Sequence, residues 1–348
     1  METKICKSLS LFDTSVLKGV ALILLLCHHL FFQNTDLYND FYLMGHGLVQ
    51  KFGLWSKVCV AIFVFLSGYG LTTQTKKKGG VGSLKKYYWH RFTKLYANYW
   101  FIWLLFVPIG LIVFNRTFSN AYEDWVSLKL ILDFFGIINA FGWYGYNATW
   151  WFYSCIILLY IIFPFLYNSY QKDVLLTTLI VIIACFLPIP LFDNAKLYIV
   201  SFYMGIVYCM YNNTPPPTNT LMVSCRINKW LLLLLVCIAS VERMLIRESI
   251  FFDSILVTLL VLLYNFFRLS KPFTILLAFL GRHSMDIFLF HTFIYSHWFK
   301  AEIYASRNPV IIFLTLLVVC VIISLILEQI KKLLRINNLI NKVDAFVK

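Results

Sequence analysis

Ten apolar runs of near-membrane length leave this chain little choice of fold. They lie at about 14–32, 58–74, 96–114, 149–167, 174–191, 196–212, 230–247, 251–268, 273–298 and 309–330. In hydrocarbon each backbone N–H and C=O must be satisfied inside the protein, so such runs fold as helices. Of the 348 residues 60% are hydrophobic and only 13% charged, a balance that excludes a soluble globular domain. The expectation is an all-α polytopic membrane protein: about ten transmembrane helices around a polar cavity, in one domain over 1–348 with no appended soluble domain. The polar start METKICKSLSLFDTS lacks a cleavage pattern after the first run, which is expected to be retained as a helix.

A net charge of +14 would suit a nucleic-acid binder in a soluble chain, but here the cations sit between apolar runs and set topology instead. Lys76, Lys77, Lys78, Lys85, Lys86, Arg91 and Lys94 follow the second run with no acid among them, so this segment is placed in the cytoplasm. Arg226, Lys229, Arg268, Lys271 and the late cations Lys331, Lys332, Arg335, Lys342 and Lys348 alternate onto the same side. Both termini are therefore expected in the cytoplasm. The opposite loops mix signs, with Asp36, Asp40, Lys51, Glu123, Asp124 and Lys129. In the longest of them, a short apolar piece at 128–141 is interrupted by Asp133 and Gly136 and reads as an interfacial or re-entrant helix. Pro215 to Pro217, with Asn212, Asn213 and Asn219, read as a loop. The nine cysteines show no CxxC pair and read as small buried hydrophobes; no metal site is expected.

The first run, LKGVALILLLCHHLFF, carries Lys18 and His29 eleven residues apart, which is three turns plus about 20°, so both project from one face roughly 16 Å apart. An ionisable residue at membrane depth points to an interior cavity, though a snorkelling Lys18 and an interfacial His29 satisfy the same pattern. His28 points about 80° away from the Lys18 line. The second run ends with Ser67, Gly68 and Gly70, small residues that let a backbone or a ligand approach closely. Arg91 and Lys94 share a helix face amid Tyr87, Tyr88, Trp89 and Tyr96, a pairing that suits a phosphate-bearing ligand with a stackable base, or else a plain positive-inside aromatic belt. In the ninth run Gly281, Ser284 and His291 form one stripe, while Asp286 lies on another face, able to meet a cation from a neighbouring helix.

These segments together resemble a known family. KGVALILLLCHH is similar to the first-helix signature of the acyltransferase-3 family of integral membrane acyltransferases, and IFVFLSGYGL to its FF-x-x-SG-F/Y segment. HRFTKLYANYW resembles its R-x-x-R segment and LGRHSMDIFLFH its late G-x-x-S-x-x-I-Y/F-L-x-H segment. ATWWFYSCIILLYIIFPF resembles its W-F-L…Y…P helix through Trp151, Tyr160 and Pro164. All five occur in the family's order over nearly the whole chain. Lys18 and Lys94 stand where the family usually has Arg, which keeps the charge and loses the bidentate fork.

The resemblance implies a multi-pass enzyme of a bacterial cytoplasmic membrane that transfers an acyl group, most often acetyl from acetyl-CoA, to a hydroxyl of a cell-surface or lipid-linked glycan. It implies His29 as catalytic base with Lys18 as polar support. Arg91, Lys94, Ser67, Gly68 and Tyr69 would take acyl-CoA; His28, Ser284 and His291 would form a supporting polar seam. Direct transfer and an acyl-histidine intermediate both need the same His. A transporter or flippase of a glycan or small anion would use a similar set of helices, and succinyl-CoA is an alternative donor. The expected partners are the acyl-CoA donor, a glycan or glycolipid acceptor and the bilayer, with no nucleic acid; neither acceptor sugar nor oligomeric state is legible.

Overall fold

The computed structural model describes residues 8–43, 45–187, 193–213, 228–245, 250–266 and 269–346. The proline loop at 215–217 with Asn219, and the cations Arg226, Arg268 and Lys348, lie outside the described residues. Fifteen α-helices follow in order among those described. They are α1 (Leu11–Phe31), α2 (Leu48–Trp55), α3 (Val58–Lys77), α4 (Leu84–Ile112), α5 (Phe118–Tyr122), α6 (Val126–Phe134), α7 (Trp151–Lys172), α8 (Val174–Phe186) and α9 (Asp193–Asn213). The series continues with α10 (Lys229–Leu245), α11 (Ile250–Phe266), α12 (Lys271–Thr292), α13 (Lys300–Tyr304), α14 (Pro309–Leu333) and α15 (Ile336–Ala345). The one strand pair among the described residues is a two-residue antiparallel ladder, Tyr42–Leu43 with His46–Gly47.

The described parts of all ten apolar runs fall on helices, and six stretches among the described residues are long and apolar enough to cross a membrane. These are α1, α2 with α3, α4, the stretch Ala148–Lys172 containing α7, the stretch Lys271–Trp298 containing α12, and α14. The other four runs fall on helices that are shorter or more polar. At 13 residues α8 reaches only about 20 Å, short of a hydrocarbon core. Glu242 and Arg243 interrupt the apolar run of α10, and α9 carries Asp193, Lys196 and terminal asparagines. Asn212 and Asn213 thus end a helix where the sequence reading had a loop.

Glycines set the closest helix contacts. A Cβ on Gly19 would strike the carbonyl of Leu277, and one on Gly281 the carbonyl of Ser15. The backbones of α1 and α12 touch here, the close approach that small residues permit between membrane helices, and the helices run parallel, since His29 and His291 meet beyond the same two glycines. A second reciprocal pair joins α3 and α9, where Gly68 abuts the Phe202 carbonyl and Gly205 the Phe65 carbonyl. Beyond these glycines Thr73 meets Cys209 at 3.2 Å, later residue against later residue, so these two helices run parallel as well. The first turn of α1 is closed by a capping box, Ser10 Oγ accepting from Asp13 N and the Asp13 carboxylate accepting from Ser10 N at 2.9 Å.

The piece at 128–141 does not span. It is α6 followed by a break at Gly136, where φ is +66°, and a 3-10 turn, Ile138–Phe141. Asp133 does not merely interrupt it; fully buried, its carboxylate accepts from the Tyr122 hydroxyl at 2.7 Å and from the Tyr146 N–H at 2.8 Å. The Tyr99 hydroxyl donates to its backbone carbonyl at 2.5 Å. One acid thereby ties α4, α5 and the segment before α7 together. Burial pushes its carboxyl up to about 6 against these hydrogen bonds, which pull it down.

Two outcomes follow. Gly281→Leu is expected to lower the melting temperature of purified protein markedly, by a loss of at least ~1–3 kcal/mol, because a backbone carbonyl cannot yield. Gly70→Ala, where added atoms meet open space, should leave it unchanged or slightly higher. For Asp133 the folded state holds the proton more tightly than the unfolded chain, so this contribution is complete below the ordinary pKa of 3.8 and is lost as pH rises through about 6. Thermal unfolding from pH 4 to 7 should therefore show Asp133→Asn gaining on the native protein by about 2–3 kcal/mol with rising pH.

Candidate functional site

The parallel seating of α1 on α12 decides which side chains meet. Each helix carries a glycine at the crossing and a histidine ten residues further on, Gly19 with His29 and Gly281 with His291. Equal spacing on parallel helices brings both histidines to one level about 15 Å beyond the crossing. Their rings lie 4.9 Å apart between centroids, and Tyr295 flanks both, 6.2 Å from His29 and 5.9 Å from His291. His291 is fully buried, and its Nδ1 lies 3.0 Å from the Ile287 carbonyl and 2.9 Å from that of Phe288. Such partners assign the proton to Nδ1 and leave the Nε2 lone pair for a neighbour.

The turn bearing His29 is braced from several directions. The Tyr304 hydroxyl donates to the Leu30 carbonyl at 2.9 Å and Tyr38 to that of Phe31 at 2.8 Å, satisfying end carbonyls of α1 that have no helical partner. His28 points to the α2 side, its Nδ1 2.8 Å from the Gly53 carbonyl and its ring stacked on Phe32 at 4.4 Å. That makes it an anchor for the turn. On the α12 side, Trp150 and Asn147 donate to the Leu289 carbonyl at 2.9 and 3.3 Å, and Thr149 meets Thr292 at 3.1 Å. A π turn, Phe293–Trp298, continues α12 directly after this clamp.

At the other end of the same helix pair, beside the basic segment, is a cavity of about 260 Å³. Lys18, Arg91 and Lys94 line it together with Ser67, Ser284, Asn98 and Tyr160, and Phe63, Phe152 and Phe288 form an aromatic inner wall. Arg91 lies 5.9 Å over the Tyr87 ring, while Lys94 is exposed at the mouth. Ser67 and Ser284 each donate to a carbonyl of their own helix, Phe63 at 2.9 Å and Gly281 at 2.8 Å. Asp286 does meet a cation from a neighbouring helix: Lys331 Nζ is 2.6 Å from its carboxylate and 3.1 Å from Asn98 Oδ1. This pairing neutralises a carboxylate that would otherwise repel an anion in the cavity.

Five of the residues singled out in the sequence thus gather in one cavity, and His29 and His291 gather above it. Phe288 separates the two groups; it lines the cavity, and its ring lies 6.3 Å from His291 and 5.0 Å from Phe152. Gly68 and Tyr69 are placed elsewhere. Gly68 faces α9, and the buried Tyr69 hydroxyl accepts from Leu9 N at 2.7 Å and donates to Leu9 O at 3.0 Å. Both are accounted for by packing, because they lie on faces of α3 turned from Ser67. Sequence reasoning missed Asn98, Phe152, Phe288 and the Asn147–Trp150 clamp. Phe288 was findable, one turn beyond Ser284 on the same stripe; the clamp carries no local signal. Of the cysteines, Cys27, Cys59, Cys155, Cys185, Cys209 and Cys320 are buried thiols as expected, whereas Cys237 is exposed on α10.

A family model described as an acyltransferase domain matches residues 13–329, which span every helix that contributes to the cavity and the histidine pair. No curated protein and no solved structure matches the chain significantly. With the match covering nine-tenths of the chain, this multi-pass helical protein belongs to the acyltransferase-3 family of integral membrane acyltransferases.

Proposed function

We propose that the protein is an O-acyltransferase that takes acetyl from acetyl-CoA on the cytoplasmic side and delivers it to a hydroxyl of a glycan or glycolipid at the outer side of a bacterial cytoplasmic membrane. The observation that carries this reading is the division of one helix pair into two stations. Cations line a cavity at the basic end of α1 and α12, and a histidine pair lies about 15 Å further along the same helices. An acyl-CoA has the matching division, an anionic nucleotide joined to its thioester by a long extended arm. The cavity admits such an arm but not the nucleotide, whose phosphates would stay at the mouth with Arg91 and Lys94. Both termini then face the cytoplasm, in line with the positive-inside bias of the basic segment.

The residues serve the chemistry as follows. A sugar hydroxyl is a weak nucleophile at neutral pH, so His29 accepts its proton as oxygen attacks the thioester carbonyl. The C–O bond forms, the tetrahedral intermediate collapses, and the C–S bond breaks. His29 returns the proton to the departing CoA thiolate. His291, fixed by its own helix carbonyls, holds the second imidazole against His29 and keeps its orientation. Lys18 stands too far along the axis to touch His29 and instead faces the donor in the cavity. An acyl-His29 intermediate would use the same geometry in two steps. Transport of a free glycan is set aside because it gives the cation cavity no thioester to hold and is not the family's chemistry.

Membranes containing the native protein should incorporate radiolabel from acetyl-CoA into surface glycan, and His29→Ala at matched expression should lower the rate by about 10²–10⁴-fold. Robust transfer by that variant would remove His29 from catalysis. Absence of transfer by the native protein would overturn the acetyl donor or the glycan acceptor.

A further inference from the structure

Lys94 does not stand alone at the cavity mouth. Its ammonium donates to His90 Nε2 at 3.2 Å, one turn back on α4, and His90 Nδ1 lies 2.6 Å from the Asp344 carboxylate on α15. Two partners fix the tautomer: with Nδ1–H donated to the carboxylate, Nε2 keeps the lone pair that the lysine needs. The result is an ordered chain, ammonium to imidazole to carboxylate, joining positions some 250 residues apart in sequence.

The third member is supplied by a helix with its own reason to be there. In α15 the apolar residues Ile336, Leu339, Ile340 and Val343 recur at helical spacing and line one side of an apolar groove whose other wall is α4. Trp89 closes the contact, donating to the Val343 carbonyl at 2.8 Å beside the Asp344 link. The matched family segment ends at 329, so α15 lies outside it and reaches back to the donor mouth.

We propose that Asp344 and His90 are positioning residues for Lys94, and that α15 thereby completes the phosphate-binding mouth for the acyl-CoA donor. This rests on the reading of the cavity as the acyl-CoA site. An exposed lysine samples many rotamers, and immobilising it on binding opposes affinity. A lysine already held through His90 meets a phosphate with less ordering left to do. The held ammonium also offsets what this position lacks beside Arg91, since a lysine has no rigid fork of its own. Asp344 stays one imidazole removed from the ammonium, close enough to orient it and too far to occupy it as a direct ion pair.

The test is a double-mutant cycle on the full chain in nanodiscs, reading the Kd for acetyl-CoA together with KM and kcat. Asp344→Asn should raise Kd and KM for acetyl-CoA by about three- to ten-fold with kcat little changed, and Asp344→Glu should restore most of the loss. In a Lys94→Ala background, Asp344→Asn should add nothing further. Native affinity in Asp344→Asn would overturn the relay while leaving the acyl-CoA reading standing. Additive losses in the double variant would overturn it too, because a general disturbance of the fold would weaken binding whether or not Lys94 is present. A native protein that binds no acetyl-CoA would overturn the acyl-CoA reading, and the relay with it.

Discussion

The backbone contact between α1 and α12 is the constraint on which the rest of the arrangement depends. A side chain at either glycine would hold the helices apart by the thickness of that chain, and every cross-helix distance above and below would open. Close contact, parallel direction and equal spacing place His29 against His291 without any bond between the two rings. The same contact sets Lys18 and Ser284 on one cavity wall. A membrane interior offers little hydrophobic drive for helix association, so shape complementarity at small residues carries much of the specificity. The α3–α9 pair repeats the device, again between parallel helices, and fixes Ser67 opposite the cations of α4.

Around that contact several buried charges and open carbonyls find partners on neighbouring segments. Lys331 and Asn98 answer Asp286, tyrosines answer the last carbonyls of α1, and Trp150 with Asn147 answers the Leu289 carbonyl. Leaving any one of these groups unpaired in a low-dielectric interior costs roughly 1–3 kcal/mol, more if it is charged. The consequence for function is rigidity at both stations. The histidine pair is clamped from the segment before α7 and from α13, and the cavity mouth from α14 and α15. The aromatic wall of Phe63, Phe152 and Phe288 lies between them, apolar where an extended arm needs no hydrogen bonds and dry where a thioester must be protected from water.

Periodicity and charge made much of this legible. Lys18 and His29 share a face because eleven residues make three turns, and Asp286 could be assigned a cationic partner because an acid at that depth requires one. Other features were illegible for equally physical reasons. Gly68 beside Ser67 in an SG pair looks like one small-residue site, yet successive helical residues point about 100° apart, so one faces α9 and the other the cavity. Tyr69 is taken up by the backbone of Leu9, a partner sixty residues away that no local pattern announces. Asp133 reads as a break in an apolar piece because its tyrosine donors come from three separate segments.

The sequence by itself determined the helical, membrane-embedded class, the family, and the residues with unusual chemistry for their depth, because hydropathy, helical period and short motifs are local properties. It marked ten apolar runs, and six of them lie on stretches among the described residues that are long and apolar enough to span, since an apolar run records composition and not the length of helix that forms. Only the tertiary structure decided that His29 meets His291, that the cations of α1 and α4 share a cavity walled off by Phe288, and that Asp344 reaches Lys94 through His90. Those facts depend on which helix faces which and in what direction, and that choice is made by glycines and buried polar pairs whose partners lie far away along the chain.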